Sequence, residues 1–206
     1  MLYETLIFVQ EEYNAFVAAR TGAAPIYPLL LGNIAQHESP VKNNEASGGI
    51  ENSLVLSLVN IEEEHHMGSS RPIMRTQHSS LQTNPPLHLN LYLLFSANIN
   101  DYGEALKQLT WILRFFQAKD AFNRQNSPKM HEGLELLLFK LHPVNFEQSF
   151  NFWGAMGGKY IPSVLYKVRM LTLDQKIITE DAPPIKEIQT GQTDIWVQEA
   201  SQKANK

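Results

Sequence analysis

Leu87, Leu89, Leu91 and Leu93 alternate with His88, Asn90 and Tyr92. Only an extended chain, whose successive side chains point to opposite faces, turns a period of two into one apolar surface. The stretch therefore requires a sheet with a buried face, and a sheet requires further strands. Ile50 to Ile61 supplies one, with Leu54, Leu56 and Leu58 on one face and Val55 and Val59 on the other, a strand buried on both sides. Leu136 to Leu141 supplies a third, with Leu137, Phe139 and Leu141 in alternation. Val164 to Leu173 supplies a fourth, with Tyr166, Val168 and Met170 opposite Lys167 and Arg169, so that one face is wet.

Helical periodicity appears three times. Leu2, Leu6, Val9, Tyr13 and Phe16 fall on one face of a helix of about five turns. Asp101 and Glu104 are spaced as a capping box ahead of Leu106, Leu109, Leu113 and Phe116, which predicts a helix from Tyr102 to Gln117. Asn145 and Gln148 repeat the signal, with Phe146, Phe150 and Trp153 along one side of a short helix that Gly154 ends. Residues 21–49 and 118–133 read as loops, and Glu62 to Pro86 as a loop projecting from the sheet. Asp181-Ala182-Pro183-Pro184 breaks regular structure, leaving a short strand-like continuation and a polar tail. The order predicts an α+β fold, a mostly antiparallel sheet of about four strands with helices packed on one face. Residues 1–174 form the domain and residues 175–206 a C-terminal extension.

Chemistry is sparse. The chain of 206 residues has no Cys, which excludes disulfides, thiolate metal sites and cysteine nucleophiles. A net charge of −4 leaves no cation excess for a phosphate backbone, so nucleic acid is not an expected partner. The acidic N-terminus does not read as a secretory signal, and no apolar run approaches bilayer-spanning length, so a cytoplasmic origin without membrane insertion is expected. Glu62-Glu63-Glu64-His65-His66 is the one cluster with metal-ligating chemistry, to be completed by His78 or His88. Adjacent His65 and His66 in extended chain point to opposite sides, and a solvated strand end or loop accounts for them better. Gly157-Gly158-Lys159 lacks both the leading glycine and the following Ser or Thr of a phosphate-binding loop, and reads as a turn. The residues themselves point to no enzyme and no cofactor; a metal-dependent enzyme built on the His/Glu cluster and a generic protein adaptor are the alternatives.

Four stretches together carry a family resemblance: Ile50 to Glu64 (IENSLVLSLVNIEEE), Leu87 to Ala97 (LHLNLYLLFSA), Tyr102-Gly103-Glu104-Ala105-Leu106 leading to Arg114-Phe115-Phe116-Gln117, and Trp153 to Arg169 (WGAMGGKYIPSVLYKVR). They resemble the cap, or tube and sheath terminator, proteins of contractile injection systems, phage-tail-like particles of the antifeeding-prophage and virulence-cassette type. The resemblance runs from Leu2 to Leu173, and its last block is the most specific. It implies a phage tail-terminator-like fold and a structural role: a hexameric ring at the end distal to the baseplate that stops addition of inner tube and sheath subunits. It implies the chain itself, tube and sheath as partners, and no catalysis. It also implies a particle assembled in the cytoplasm and then either released or anchored. A ring subunit needs exposed aromatic and Arg anchors. Tyr160, Pro162, Tyr166 and Arg169 are candidates, and Ile195, Trp196 and Val197 are candidates for a segment that adds a strand to a partner's sheet edge.

Overall fold

The computed structural model describes residues 1–35, 50–64, 73–75, 80–83, 88–172 and 178–182. These fall into two compact units, Met1–Ser70 with Pro85–Gln175, and Arg71–Asn84 with Lys176–Lys206.

The first unit is built on a six-stranded sheet of order β1-β2-β5-β8-β7-β6, formed by β1 (Leu29–Leu31), β2 (Ser53–Glu63), β5 (His88–Asn98), β6 (Ala121–Asn123), β7 (Leu134–Leu141) and β8 (Ser163–Thr172). All neighbours are antiparallel except β1 and β2, which run parallel. The sheet is thus wider than the four strands the pattern predicts. The two extra strands, β1 and β6, have three residues each and lie in stretches read as loops, too short for any period to register. Tertiary bonds hold β1 in place: Asn14 on the first helix accepts the Leu29 N–H at 2.8 Å, and the Gly32 N–H reaches Leu56 O at 3.0 Å.

Helix α1 (Leu2–Thr21) buries Leu6, Val9, Tyr13 and Val17, and α2 (Tyr102–Ala118) buries Ala105, Leu109, Ile112 and Phe116, all against one sheet face. That face presents Leu54, Leu56, Leu91, Leu93, Phe95, Tyr166, Val168 and Met170, so alternate positions of each strand enter one core. Aromatic rings meet edge to face, Tyr13 to Phe115 between the two helices at 5.7 Å and Phe95 to Phe116 between sheet and helix at 5.4 Å between centroids. Asp101 caps α2 by accepting the Glu104 N–H at 2.8 Å, while the Glu104 carboxylate pairs with Lys107 at 2.7 Å.

Helix α3 (Phe146–Ala155) lies on the opposite face, which corrects the expectation that all helices share one side. Its Trp153 packs with Ile161 and with Val55 and Leu94, strand positions that alternate with the main core. The sequence reads Val55 and Leu94 as apolar but cannot say which helix covers them. Gly154 does not end α3. The helix runs to Ala155, and Gly157 (φ 101°) and Gly158 (φ 78°) reverse the chain in a region L side chains avoid.

A bulge between Leu58 and Asn60 of β2 shifts its pairing with β5 by one residue. Beyond it β2 is exposed from Asn60 to Glu63, so this strand is buried on both faces only in its first half.

The second unit is a three-stranded antiparallel sheet of order β3-β4-β9, formed by β3 (Ile73–Arg75), β4 (Ser80–Thr83) and β9 (Ile178–Ala182). Two strands thus arise within 62–86, read as a loop, and Asp181-Ala182, read as a break, close a strand. These strands of three to five residues mix polar and apolar types, and their pairing is long-range: Leu81 faces Asp181.

Candidate functional site

Asn145 starts α3 with a reciprocal cap, accepting the Gln148 N–H at 2.7 Å while Gln148 accepts the Asn145 N–H at 3.1 Å. This fixes Phe146, Phe150 and Trp153 on one helical stripe. Only the end of the stripe is covered. Trp153 is 5% exposed, whereas Phe146 is 90% and Phe150 72% exposed, so the first half of the helix overhangs solvent.

The reversal after α3 extends this surface. Gly158 donates to Trp153 O at 2.8 Å, and the chain returns with Tyr160 beside Trp153, ring centroids 5.9 Å apart. Tyr160 is 65% exposed, and Leu141 and Val144 expose further apolar area between β7 and α3. Phe146, Phe150, Trp153 and Tyr160 line an open cleft of about 830 Å³. Large exposed aromatic area of this kind, on one ledge, is a signature of an interaction surface.

On the same sheet face the far ends of β2, β7 and β8 carry charge. Glu62 accepts the Tyr92 hydroxyl at 2.7 Å and pairs with Lys167 at 3.6 Å, and Arg169 Nε meets Glu64 Oε2 at 2.7 Å. The Tyr92 hydroxyl and the Glu62 carboxylate hold the Lys167 ammonium above its ordinary pKa. Two carboxylates of the acidic run thus serve as ion-pair partners of β8. Among the described residues no group of three or more His, Asp or Glu is placed to hold a metal; His65, His66 and His78 lie outside them. Nor is any described helix long and apolar enough to cross a membrane.

The candidate contact residues separate. Tyr160 stands on the ledge. Tyr166 does not reach the surface: it is 4% exposed, its ring 4.4 Å from that of Phe116, because its position in β8 points into the helix-covered core. Burial pushes its hydroxyl up to about 12. Arg169 is half-buried and ion-paired, and Pro162 uses its carbonyl to accept the Ala97 N–H at 2.9 Å. Ile195, Trp196 and Val197 lie outside the described residues. The sequence misses Phe146 and Phe150 as surface residues, since their spacing with Trp153 is that of an ordinary buried stripe. No spacing signal says where a helix overhangs its sheet.

A family model described as the Pvc16 N-terminal domain matches residues 21–187. The fold is similar to the PVC sheath/tube terminator of an extracellular contractile injection system in its extended state, with TM-score 0.54 and 14% identity over 96% of this chain and 69% of that one. The tube-terminating cap of the anti-feeding prophage aligns with TM-score 0.49 and 15% identity over 76% of this chain and 57% of that one. Comparison with curated proteins finds no match.

Proposed function

Given that this chain belongs to the Pvc16 N-terminal domain family, we propose that it is a structural cap of a contractile injection system, ending growth of inner tube and sheath at the tip distal to the baseplate. It acts as a hexameric ring and transforms no substrate. Residues 1–174 form the capping domain, and residues 175–206 an extension that reaches a partner. The subunits are assembled in the cytoplasm and become part of the particle.

The observation that carries this reading is the family match across residues 21–187. Two physical features agree with it. A wide sheet braced by helices on both faces is rigid, as a ring subunit that must resist axial load has to be. The aromatic ledge presents partner-binding surface, which suits a contact role.

The test is deletion of the gene followed by measurement of particle lengths in negative-stain micrographs. Loss of the cap should give a broad length distribution with frayed distal ends, restored by expressing the chain in trans. Unchanged, uniform lengths with intact ends would overturn the reading.

A further inference from the structure

We infer that the sheet face beyond α3 holds a site for a carboxylate, the side chain of an Asp or Glu presented by a partner protein. The site shares no lining residue with the aromatic cleft and does not depend on the cap reading.

Strand pairing places four nitrogen donors in two adjacent rows. Lys140 of β7 stands directly opposite Lys167 of β8, and Arg169 of β8 directly opposite Asn90 of β5. Their chain neighbours Phe139, Val168 and Leu91 enter the helix-covered core, so all four side chains stand on the other face. With Leu138 and Glu64 they line an open cavity of about 290 Å³.

Two of the donors are unspent. Asn90 is 6% exposed, yet its side-chain amide makes no hydrogen bond among the described residues, although buried amides are ordinarily paired. Lys140 is exposed and makes no ion pair among the described residues. Its opposite neighbour is another lysine, and like charges directly opposite on a sheet destabilise it. Lys167 has Glu62 at 3.6 Å and Arg169 has Glu64 at 2.7 Å, so the extra positive charge belongs to Lys140. A sheet that carries this cost beside an unpaired buried amide is arranged for an incoming acceptor.

Charge and size select the ligand. Against the three cations stand Glu62 and Glu64, so one negative charge balances the patch. A phosphate dianion would exceed that balance and meet Glu64 in the same cavity. A carboxylate carries the single charge, and its two oxygens accept from several N–H donors at once. The volume lies just below the range of small-molecule sites, about 300–1,000 Å³, and the cavity is open to solvent. It takes the tip of a side chain and not a whole metabolite.

The test is an NMR titration of the full chain at constant ionic strength, following the Cε–Hε signals of the lysines and the side-chain amide of Asn90. Three probes are added in turn: the blocked peptide acetyl-Gly-Glu-Gly-amide, the same peptide with Gln in place of Glu, and inorganic phosphate. The Glu peptide should give saturable shifts at Lys140, Lys167 and Asn90 and none at exposed Lys129 and Lys159, and the Gln peptide should give none at all. Lys140→Gln should weaken binding of the Glu peptide about twofold to fivefold. Because it also removes the like-charge pair, the same variant should raise the urea midpoint of the unliganded chain. A Glu peptide that leaves the three groups unmoved, or shifts all lysines alike without saturation, overturns the site. Phosphate binding more tightly than the Glu peptide overturns the assignment to a protein side chain in favour of a free oxyanion. A Lys140→Gln variant with a lower midpoint shows that Lys140 holds the sheet together, and overturns the argument from its cost.

Discussion

Replacing Trp153 by Ala should destabilise the fold strongly and replacing Phe146 or Phe150 hardly at all, although the three residues share one helical stripe. Trp153 is 5% exposed and sits against Val55, Leu94 and Ile161. It is the one buried residue of α3, so its neighbours Phe152 and Met156, which are only partly buried, leave little to hold the helix once the indole is gone. Truncating a buried Trp to Ala costs about 3–5 kcal/mol through lost transfer energy and the cavity left behind. With a urea m-value of about 2 kcal/mol/M, the midpoint should fall by about 1.5–2.5 M. Phe146 and Phe150, at 90% and 72% exposure, have little burial to lose. Their truncation should move stability by no more than about 0.5 kcal/mol, a midpoint shift of about 0.25 M. The assay is equilibrium urea unfolding followed by far-UV circular dichroism, at a protein concentration where the chain is monomeric, so that association does not add to stability. If Phe146→Ala and Phe150→Ala each cost about 2 kcal/mol or more, the ledge is packed within its own chain and is no docking surface. If Trp153→Ala costs less than about 1 kcal/mol, α3 is not anchored as described.

Ser57 donates its hydroxyl to Gly32 O at 2.6 Å and accepts the N–H of fully buried Ile34 at 3.1 Å, so Ser57→Ala should cost about 1–3 kcal/mol by orphaning that donor, read as a lower urea midpoint. A β-carbon at Gly32 would stand 2.7 Å from Ile50 Cγ2 and 3.3 Å from Val55 Cγ1, so Gly32→Ala should loosen β1 at a cost of about 1–3 kcal/mol and speed amide exchange at Leu29–Leu31. Burial raises Tyr166 from 10.0 to about 12 and raises Tyr13 as well. The unfolded chain therefore gives up these protons first as pH climbs, and the stabilisation present below pH 10 should be lost between about 10 and 12. Tyr166→Phe should flatten part of that decline in unfolding midpoints measured across alkaline pH.

What the sequence discloses here follows the length of each element. The long helices, the strands of eight residues or more and both Asx caps are legible, because each repeats its period several times or satisfies a defined backbone donor. β1 and β6 are not, since three residues carry no period and their pairing depends on Asn14, Leu56 and Phe139 elsewhere in the chain. The second sheet is hidden for the same reason: β4 finds β9 across almost a hundred positions. At the candidate site, the turn at Gly157-Gly158 and the exposed position of Tyr160 are within reach of sequence reasoning. The overhang of Phe146 and Phe150 is not, because it depends on where α3 lands on the sheet. Tyr166 shows the converse error, an aromatic in a specific block that serves the core.

The central claim is that this chain ends the polymer by sitting on its tip, and the most direct measurement is an averaged cryo-EM density of the particle's distal end. The account predicts a ring into which six copies of the sheet fit. A distal tip whose density has no room for this fold, or copies found along the shaft, would contradict it.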